Sequence, residues 1–157
     1  MSALPEPYVT VEEYLAAERN AETKSEYLDG YLYAMAGGTP RHSAIAMNVA
    51  IELGIQLRDK SCQVYNSDLM VATSPTGLYA YPDVSVVCGE PRFQDNHPDA
   101  LTNPLLIVEV LSPKTEDRDR GPKFVHYRRI DSLIDYLLVV QDEPYVDHYQ
   151  RQSGDRW

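Results

Sequence analysis

The stretch PLLIVEVLSP, residues 104–113, is the most apolar run of the chain and the one that decides its fold. Such a run, bounded by prolines, is typical of a central strand that is buried on both faces of a sheet. Glu109 stands inside this run. An ionised carboxylate there is costly unless a cation or hydrogen-bond donors compensate it. We therefore predict a charged site around Glu109; the alternative is a glutamate at the strand end that faces solvent or a structural arginine.

The sequence before and after this run predicts further strands. The Asp29-Gly30 pair between two β-prone runs predicts a hairpin with a tight primed turn, and Glu26 lies on its first strand. A second strand is predicted in YAYPDVSVVCG, residues 79–89, because a proline such as Pro82 is tolerated at the start of a strand. The remaining stretches predict a polar connection and two further strands, at residues 90–103, 133–140 and 144–152.

Helices are predicted between these strands. Thr10 followed by Glu13 is a capping-box pattern that opens a short helix. A longer helix packed on a sheet is predicted by four apolar residues at helical spacing, Ile45, Val49, Leu53 and Leu57. Charged residues crowd together in 114–130 and predict a loop followed by a helix. The alternation of strands and helices predicts a single α/β domain over residues 1–157.

Composition narrows the range of functions. The 157 residues carry 43% hydrophobic residues, which is enough for one folded core, and a formal net charge of -10. This charge argues against binding nucleic acid through bulk electrostatics, so any such contact must be local. There is no signal peptide pattern and no apolar run of membrane-spanning length, so we expect no membrane association and a cytoplasmic location. Cys62 and Cys88 have no paired-thiol spacing and are predicted to be reduced, mostly buried thiols rather than a disulfide or zinc ligands.

The last residues, YVDHYQRQSGDRW, stop where a second hairpin strand would begin after Ser153-Gly154. This pattern leads us to expect that the chain lacks one or more natural C-terminal strands. An unpaired sheet edge left there is a surface that a second copy of the protein could cover, so a homodimer is predicted.

Asp83 supplies a second carboxylate that could act with Glu109. It follows Pro82 directly, and a Pro-Asp pair can also simply begin a turn. Adjacent strands lie about 4.8 Å apart, so two carboxylates on one face could share an ion. Two carboxylates with few histidines suit magnesium or manganese better than zinc. Such an ion could act on a phosphodiester, and Lys123 and Lys114 are the candidate ammonium groups nearby, although most lysines are solvated surface residues.

Six segments in order carry a family resemblance: KSEYLDGYLYAM (24–35), PRHSAI (40–45), YPDVSVV (81–87), PLLIVEVLSPKT (104–115), DRGPKFVHY (119–127) and IDYLLVV (134–140). This series resembles the Uma2 family of restriction-endonuclease-like proteins, a branch of the PD-(D/E)xK nuclease superfamily. The resemblance implies a mixed β-sheet core flanked by helices. It also implies that Asp83 and Glu109 are the metal ligands and that Glu26 is a further acidic residue near the metal.

The chain departs from the superfamily pattern at one position. Two residues after Glu109 stands Leu111 where the pattern has a lysine. The family resemblance points to Lys123 as the replacement, with Tyr127 four residues later on the same helix face, and Lys114 is the weaker alternative. His42 matches a family histidine.

His42 could bind phosphate or transfer a proton, or it could satisfy backbone groups at a helix end. Two further acidic residues match family positions and are interpreted as structural, Asp68 as a polar strand residue and Asp119 as a loop or capping residue. Three tyrosines of the hairpin, Tyr27, Tyr31 and Tyr33, are interpreted as sheet residues rather than base-stacking platforms.

A basic cluster overlaps the proposed site in sequence and consists of Arg118, Arg120, Lys123, Arg128 and Arg129. It could contact a DNA backbone, or it could be a solvated helix face balanced by neighbouring aspartates. The leading hypothesis is a magnesium- or manganese-dependent endonuclease that hydrolyses DNA phosphodiester bonds, with catalytic residues Glu26, Asp83, Glu109 and Lys123. The alternative is a nuclease-fold module that binds DNA or a protein partner in a mobile-element or defence system.

Overall fold

The structure is a computed structural model that describes residues 8–95 and 97–157. Its helices are Val11–Glu18 (α1), Pro40–Gln56 (α2), Glu116–Arg120 (α3) and Pro122–Tyr127 (α4). Its strands are Ser25–Leu28 (β1), Tyr31–Ala34 (β2), Cys62–Tyr65 (β3), Met70–Ala72 (β4), Leu78–Ala80 (β5), Val84–Cys88 (β6), Phe93–Gln94 (β7), His97–Leu101 (β8), Leu106–Val110 (β9), Asp135–Val139 (β10) and Val146–Gln150 (β11). No helix in these two ranges has both the length and the apolar content needed to cross a membrane.

The strands form two mixed sheets, where the sequence led us to expect one. The first sheet has the order β2-β1-β5-β4-β8-β7 and the second has the order β11-β10-β9-β6-β3. The prediction of a central strand around Glu109 is confirmed, because β9 lies in the middle of the second sheet, parallel to β10 and antiparallel to β6. Its residues Ile107, Val108 and Val110 are buried. The predicted α+β fold class is therefore confirmed.

The strand predicted over residues 79–89 is two strands that belong to different sheets. Strand β5 ends at Ala80 in the first sheet and β6 begins at Val84 in the second. Pro82 lies between them, and a proline has no N–H group with which to continue a strand ladder. The chain therefore crosses from one sheet to the other here, and Asp83 lies at the crossover, one residue before β6 and not within a strand.

The connection predicted over residues 90–103 also contains two short strands, β7 and β8. Strand β8 pairs in parallel with β4, and its residues Ala100 and Leu101 are fully buried. Overall polarity concealed this strand because only the end of the segment is apolar. The predicted hairpin of β1 and β2 is confirmed, and its turn residues Asp29 and Gly30 have φ values of 48° and 95°, as a primed turn requires.

The predicted start of the first helix is confirmed, whereas the second helix is less buried than the sequence predicts. Both hydrogen bonds of the Thr10 capping box are present at α1. Helix α2 lies against β3, β6 and β9, but none of its residues is fully buried. Its exposed side carries Met47, Ile51 and Ile55. The charged segment predicted as a loop and a helix is two short helices separated by Gly121.

The prediction of reduced, buried cysteines is wrong. Cys62 and Cys88 form a disulfide between the antiparallel strands β3 and β6. The strand register places the two residues directly opposite each other, with their Cα atoms 4.0 Å apart. Their separation of 26 residues along the chain gives no sign of this pairing. The predicted homodimer stays a prediction, and β11 is the edge strand beside which a second copy would lie.

Substitutions at two glycines test how backbone conformation affects the stability of the fold. At Gly30, alanine would have to adopt a φ of 95° and its Cβ would overlap the Tyr8 ring. We expect Gly30→Ala to lower the free energy of unfolding by about 1–3 kcal/mol. Gly54 lies within α2, and outside the adjacent helix backbone no atom of the described residues lies within 4 Å of an added Cβ. Gly54→Ala should therefore raise the free energy of unfolding by about 0.5–1 kcal/mol. Urea unfolding followed by circular dichroism would measure both changes, and equal effects of the same sign would contradict this account.

Candidate active site

Lys123 lies at the centre of a buried cluster of charged side chains. Its ammonium nitrogen is 2.8 Å from Glu109 Oε1, 3.2 Å from Asp119 Oδ1 and 3.3 Å from Glu26 Oε2. An ammonium group has three N–H donors, so each donor can be directed at one carboxylate. The four residues are only 2% to 7% exposed. Water therefore contributes little to balancing these charges, and the side chains must balance one another.

The members of this cluster come from elements that are distant in sequence. Glu26 belongs to β1 of the first sheet and Glu109 to β9 of the second. Asp119 and Lys123 belong to α3 and α4, on either side of Gly121. The cluster therefore joins the two sheets and the helical segment at one point.

Two uncharged donors complete the hydrogen bonding of the cluster. The hydroxyl of Tyr127 donates to Glu109 Oε1 at 3.0 Å, and the backbone N–H of Tyr81 donates to Glu26 Oε2 at 2.9 Å. Burial raises the pKa of Tyr127 well above its ordinary value, although the Lys123 ammonium lowers it in part. Tyr127 therefore stays protonated and acts as a fixed donor to Glu109.

Asp83 lies beside Glu109, as the sequence predicted for neighbouring strands. Val84 pairs with Val108 in the antiparallel register of β6 and β9, and continuing this register by one residue places Asp83 opposite Glu109. The backbone N–H of Val110 donates to Asp83 Oδ2 at 2.7 Å. The Asp83 side chain is 14% exposed, so this carboxylate lies where the buried cluster approaches the surface.

His42 contacts Asp83 from the start of helix α2. Its Nε2 atom is 3.3 Å from Asp83 Oδ2. The hydrogen bond to Asp83 raises the pKa of His42 and outweighs burial, which lowers it. The backbone N–H of His42 is satisfied by Thr39, which caps α2. The ring of His42 contacts Asp83 and can therefore orient its carboxylate.

The cluster contains more acidic groups than basic ones, and this excess changes their ionisation. Burial raises the pKa of Glu109 well above its ordinary value, and the Lys123 ammonium offsets only part of this effect. Burial also raises the pKa of Asp119. For Lys123 burial lowers the pKa, but the surrounding carboxylates, Glu109 first, raise it well above its ordinary value. In the absence of a metal ion the lysine is therefore charged, and Glu109 and Asp119 tend to retain a proton.

The residues around Asp83 and Glu109 fit a hard cation that retains water. Among residues 8–95 and 97–157, no side chain or backbone group donates a hydrogen bond to Asp83 Oδ1 or Glu109 Oε2. Magnesium is usually bound by one or two carboxylates with several waters and substrate phosphates. No group of three or more His, Cys, Asp or Glu side chains in the described ranges could hold a metal ion. The donor set thus suits a two-carboxylate site and not an all-protein cage.

Sequence reasoning brought together most of this cluster and missed one member. The interpretation of Asp119 as a loop or capping residue is wrong, because it is buried and paired with Lys123. Its spacing of four residues from Lys123 was the available signal. Asp68 is in a turn, not a strand, and its side chain is 83% exposed beside Lys24. Lys114 is exposed and makes no ion pair within the described residues.

Two of the five residues of the predicted basic cluster, Lys123 and Arg120, are paired with carboxylates. Lys123 is buried among carboxylates. Arg120 pairs with Glu116 at 3.0 Å and with Asp147 at 2.6 Å. The Arg128 guanidinium lies over the ring of Phe124. The cluster therefore does not act as one positive patch, although Arg118 remains free of an ion pair in the described part of the chain.

The fold defines the chain as a restriction-endonuclease-like domain of mixed sheets and helices. It is similar to a crystal structure from Anabaena variabilis ATCC 29413, described as "a putative nuclease belonging to DUF820", with a TM-score of 0.76 and 21% sequence identity. The similarity covers 92% of this chain and 81% of that chain. At this identity it shows the fold alone.

The sequence comparisons then show the family. Residues 11–157 match the model of the Uma2 family, described as "Putative restriction endonuclease". Two proteins of Synechocystis sp. (strain ATCC 27184 / PCC 6803 / Kazusa), both called uncharacterized, are 37% identical over 149 residues and 40% identical over 153 residues. The matches cover 95% and 98% of this chain and 84% and 80% of those proteins. The chain belongs to the Uma2 family, and the predicted resemblance is confirmed.

The raised pKa of Glu109 predicts how stability depends on pH. A carboxyl whose pKa is higher in the folded than in the unfolded chain contributes stability that is present below the unfolded pKa and is lost as the pH rises through the folded pKa. The ordinary value is 4.5, so we expect the metal-free protein to lose stability as the pH rises from there. Glu109→Gln should reduce this loss at pH values above the ordinary pKa of the group.

The measurement is urea unfolding at a series of pH values in the presence of a chelator. Glu52→Gln, on the exposed side of α2, is the matched control and should leave the slope unchanged. A wild type and a Glu109→Gln variant with the same pH dependence would show that Glu109 is not the group that takes up the proton.

The two candidate lysines should differ sharply in their effect on stability. Lys123→Met leaves three buried carboxyls without their cation, so we expect a loss of about 3 kcal/mol at neutral pH. Lys114→Met removes an exposed, unpaired charge and should change stability by less than about 0.5 kcal/mol. Thermal or urea unfolding of both variants measures the difference. A Lys123→Met protein as stable as wild type would refute the central role of this ammonium group.

Proposed function

We propose that the protein is a divalent-metal-dependent endodeoxyribonuclease that hydrolyses DNA phosphodiester bonds with magnesium or manganese. One observation carries the proposal: Glu109 and Asp83 lie opposite each other between the two sheets, and each keeps one oxygen atom without a hydrogen bond from the described residues. The family description as a restriction endonuclease supports DNA as the substrate.

In this proposal Asp83 and Glu109 hold the metal ion. The chemistry that such an ion supplies is polarisation of the phosphodiester and a lower pKa for the attacking water. Val110 and His42 fix the orientation of Asp83, since both contact its Oδ2 atom. Tyr127 fixes Glu109 in the same way through Oε1. Asp83 Oδ1 and Glu109 Oε2 are then the carboxylate oxygens left for the ion.

Glu26 and Lys123 have supporting roles at this site. Lys123 compensates the charge of Glu109 and directs its three donors at carboxylates. We therefore propose that Lys123 orients the metal ligands and controls their ionisation, and that it does not contact the phosphate directly. Glu26 shares Lys123 with Glu109 and so places the ammonium group between the two sheets. The exposed Lys114 has no comparable contact.

A second function is a nuclease-fold module that binds DNA or a protein partner, in a mobile-element or defence system, without cutting. Two observations favour it. The ammonium of Lys123 is fully engaged by carboxylates, and the chain has a net charge of -10, which weakens contact with a polyanion. Such a module would need no metal ion.

Metal binding separates the two functions. We expect calorimetric titration with manganese or magnesium to show binding by wild type that is at least about tenfold weaker in Asp83→Asn and Glu109→Gln. Asp68→Asn changes an exposed carboxylate of the same size and should bind like wild type. The same four proteins are then incubated with supercoiled plasmid and with single-stranded DNA.

Each result has a definite meaning. Metal binding and DNA cleavage that are both lost in Asp83→Asn and Glu109→Gln but kept in Asp68→Asn would support the nuclease. Binding without cleavage of either DNA would overturn the assigned substrate and leave the metal site in place. A folded wild type that binds neither metal would favour the non-cutting module.

A further inference from the structure

Arg118 is a cation beside the acidic cluster that forms no ion pair in the described part of the chain. Lys123 directs its three donors at carboxylates, and Arg120 is paired with Glu116 and Asp147. Arg118 makes no ion pair or hydrogen bond within residues 8–95 and 97–157. It is also partly buried, so it is not an ordinary solvated surface arginine.

The guanidinium of Arg118 lies over an aromatic ring. Its Cζ atom lies 4.2 Å from the centre of the Tyr33 ring, which is a close cation–π contact. Its Nε atom is buried without a partner, whereas its two terminal nitrogens are not among the buried unpaired atoms. The ring contact thus restrains the guanidinium and leaves its terminal N–H donors accessible.

Both residues of this contact, Tyr33 and Arg118, neighbour a member of the acidic cluster. Tyr33 is directly opposite Glu26 in the register of β1 and β2, and opposite residues in a sheet project from the same face. Arg118 immediately precedes Asp119 in α3. The guanidinium therefore lies between α3, which supplies Asp119, and β2, the strand paired with the Glu26 strand β1.

We propose that Arg118, held on Tyr33, is a binding site for a backbone phosphate of DNA, adjacent to the phosphodiester that is positioned at Asp83 and Glu109. A planar guanidinium with two free N–H groups matches two phosphate oxygens, which an ammonium does not. The acidic chain needs such a local cation, since its overall charge repels a polyanion. This inference rests on the proposed function and identifies the contact that Lys123 does not supply.

The test measures DNA binding without cleavage. Fluorescence anisotropy of a short labelled duplex is recorded in chelator at several salt concentrations, with wild type, Arg118→Gln and Arg129→Gln. Arg129 is exposed and its variant makes the same change of charge. We expect Arg118→Gln to bind several-fold more weakly and to lower the slope of log affinity against log salt by about 0.9. Arg129→Gln should retain the wild-type slope.

Three more variants examine how the planar guanidinium and the ring beneath it contribute to DNA binding. Arg118→Lys keeps the charge but not the planar group, and Tyr33→Leu removes the ring beneath it, so both should bind DNA more weakly than wild type. All variants should keep wild-type manganese affinity in calorimetry, and thermal unfolding should show that each is folded at the temperature of the binding assay. Tyr33→Phe keeps the ring and should bind DNA as wild type does.

The inference would be overturned if Arg118→Gln and Arg129→Gln had equal effects, or if wild type bound no duplex at low salt. Its failure is distinguishable from failure of the nuclease. If wild type bound manganese and cut DNA, and Arg118→Gln bound duplex and cut DNA equally well, the phosphate site alone would be refuted. A wild type that does not bind manganese would refute the metal site alone, since duplex binding is measured in chelator.

Discussion

The ion pairs of Lys123 with Glu109, Asp119 and Glu26 are the interaction on which the rest of the structure depends. They hold together a strand from each sheet and the helical segment that follows β9. Removing Lys123 would leave three buried carboxyl groups without their cation, which is costly in a buried position. The arrangement of both sheets is therefore tied to the presence of one ammonium group.

These shared ion pairs also explain why the site costs free energy of folding and why its side chains have fixed positions. Three carboxyls share one cation, and burial raises the pKa of Glu109 and of Asp119. Proteins often accept such a cost in stability where the groups have a function. The fixed donors Tyr127 and Val110 hold Glu109 and Asp83 in place before any ligand arrives. This preorganisation is what a metal-dependent site on rigid strands needs.

The elements predicted correctly are those specified by local patterns. The apolar run around Glu109, the Asp29-Gly30 turn and the Thr10 capping box are each decided within a few residues, and all are present. The failures involve pairing between distant residues. The disulfide of Cys62 with Cys88 depends on strand register. The division of the predicted strand around Pro82, like the position of β8, depends on which sheet each half joins.

The sequence by itself determined the central strand, the hairpin, the family and the candidates Glu26, Asp83, Glu109 and Lys123, because residue chemistry and local periodicity are sufficient for these. Only the tertiary structure decided that Lys123 contacts three carboxylates, that Asp119 is one of them and that Arg118 is left free. The physical reason is that ion pairing and burial depend on distances between side chains from separate elements. Those distances are set by how the two sheets and the helices pack, which no short stretch of sequence encodes.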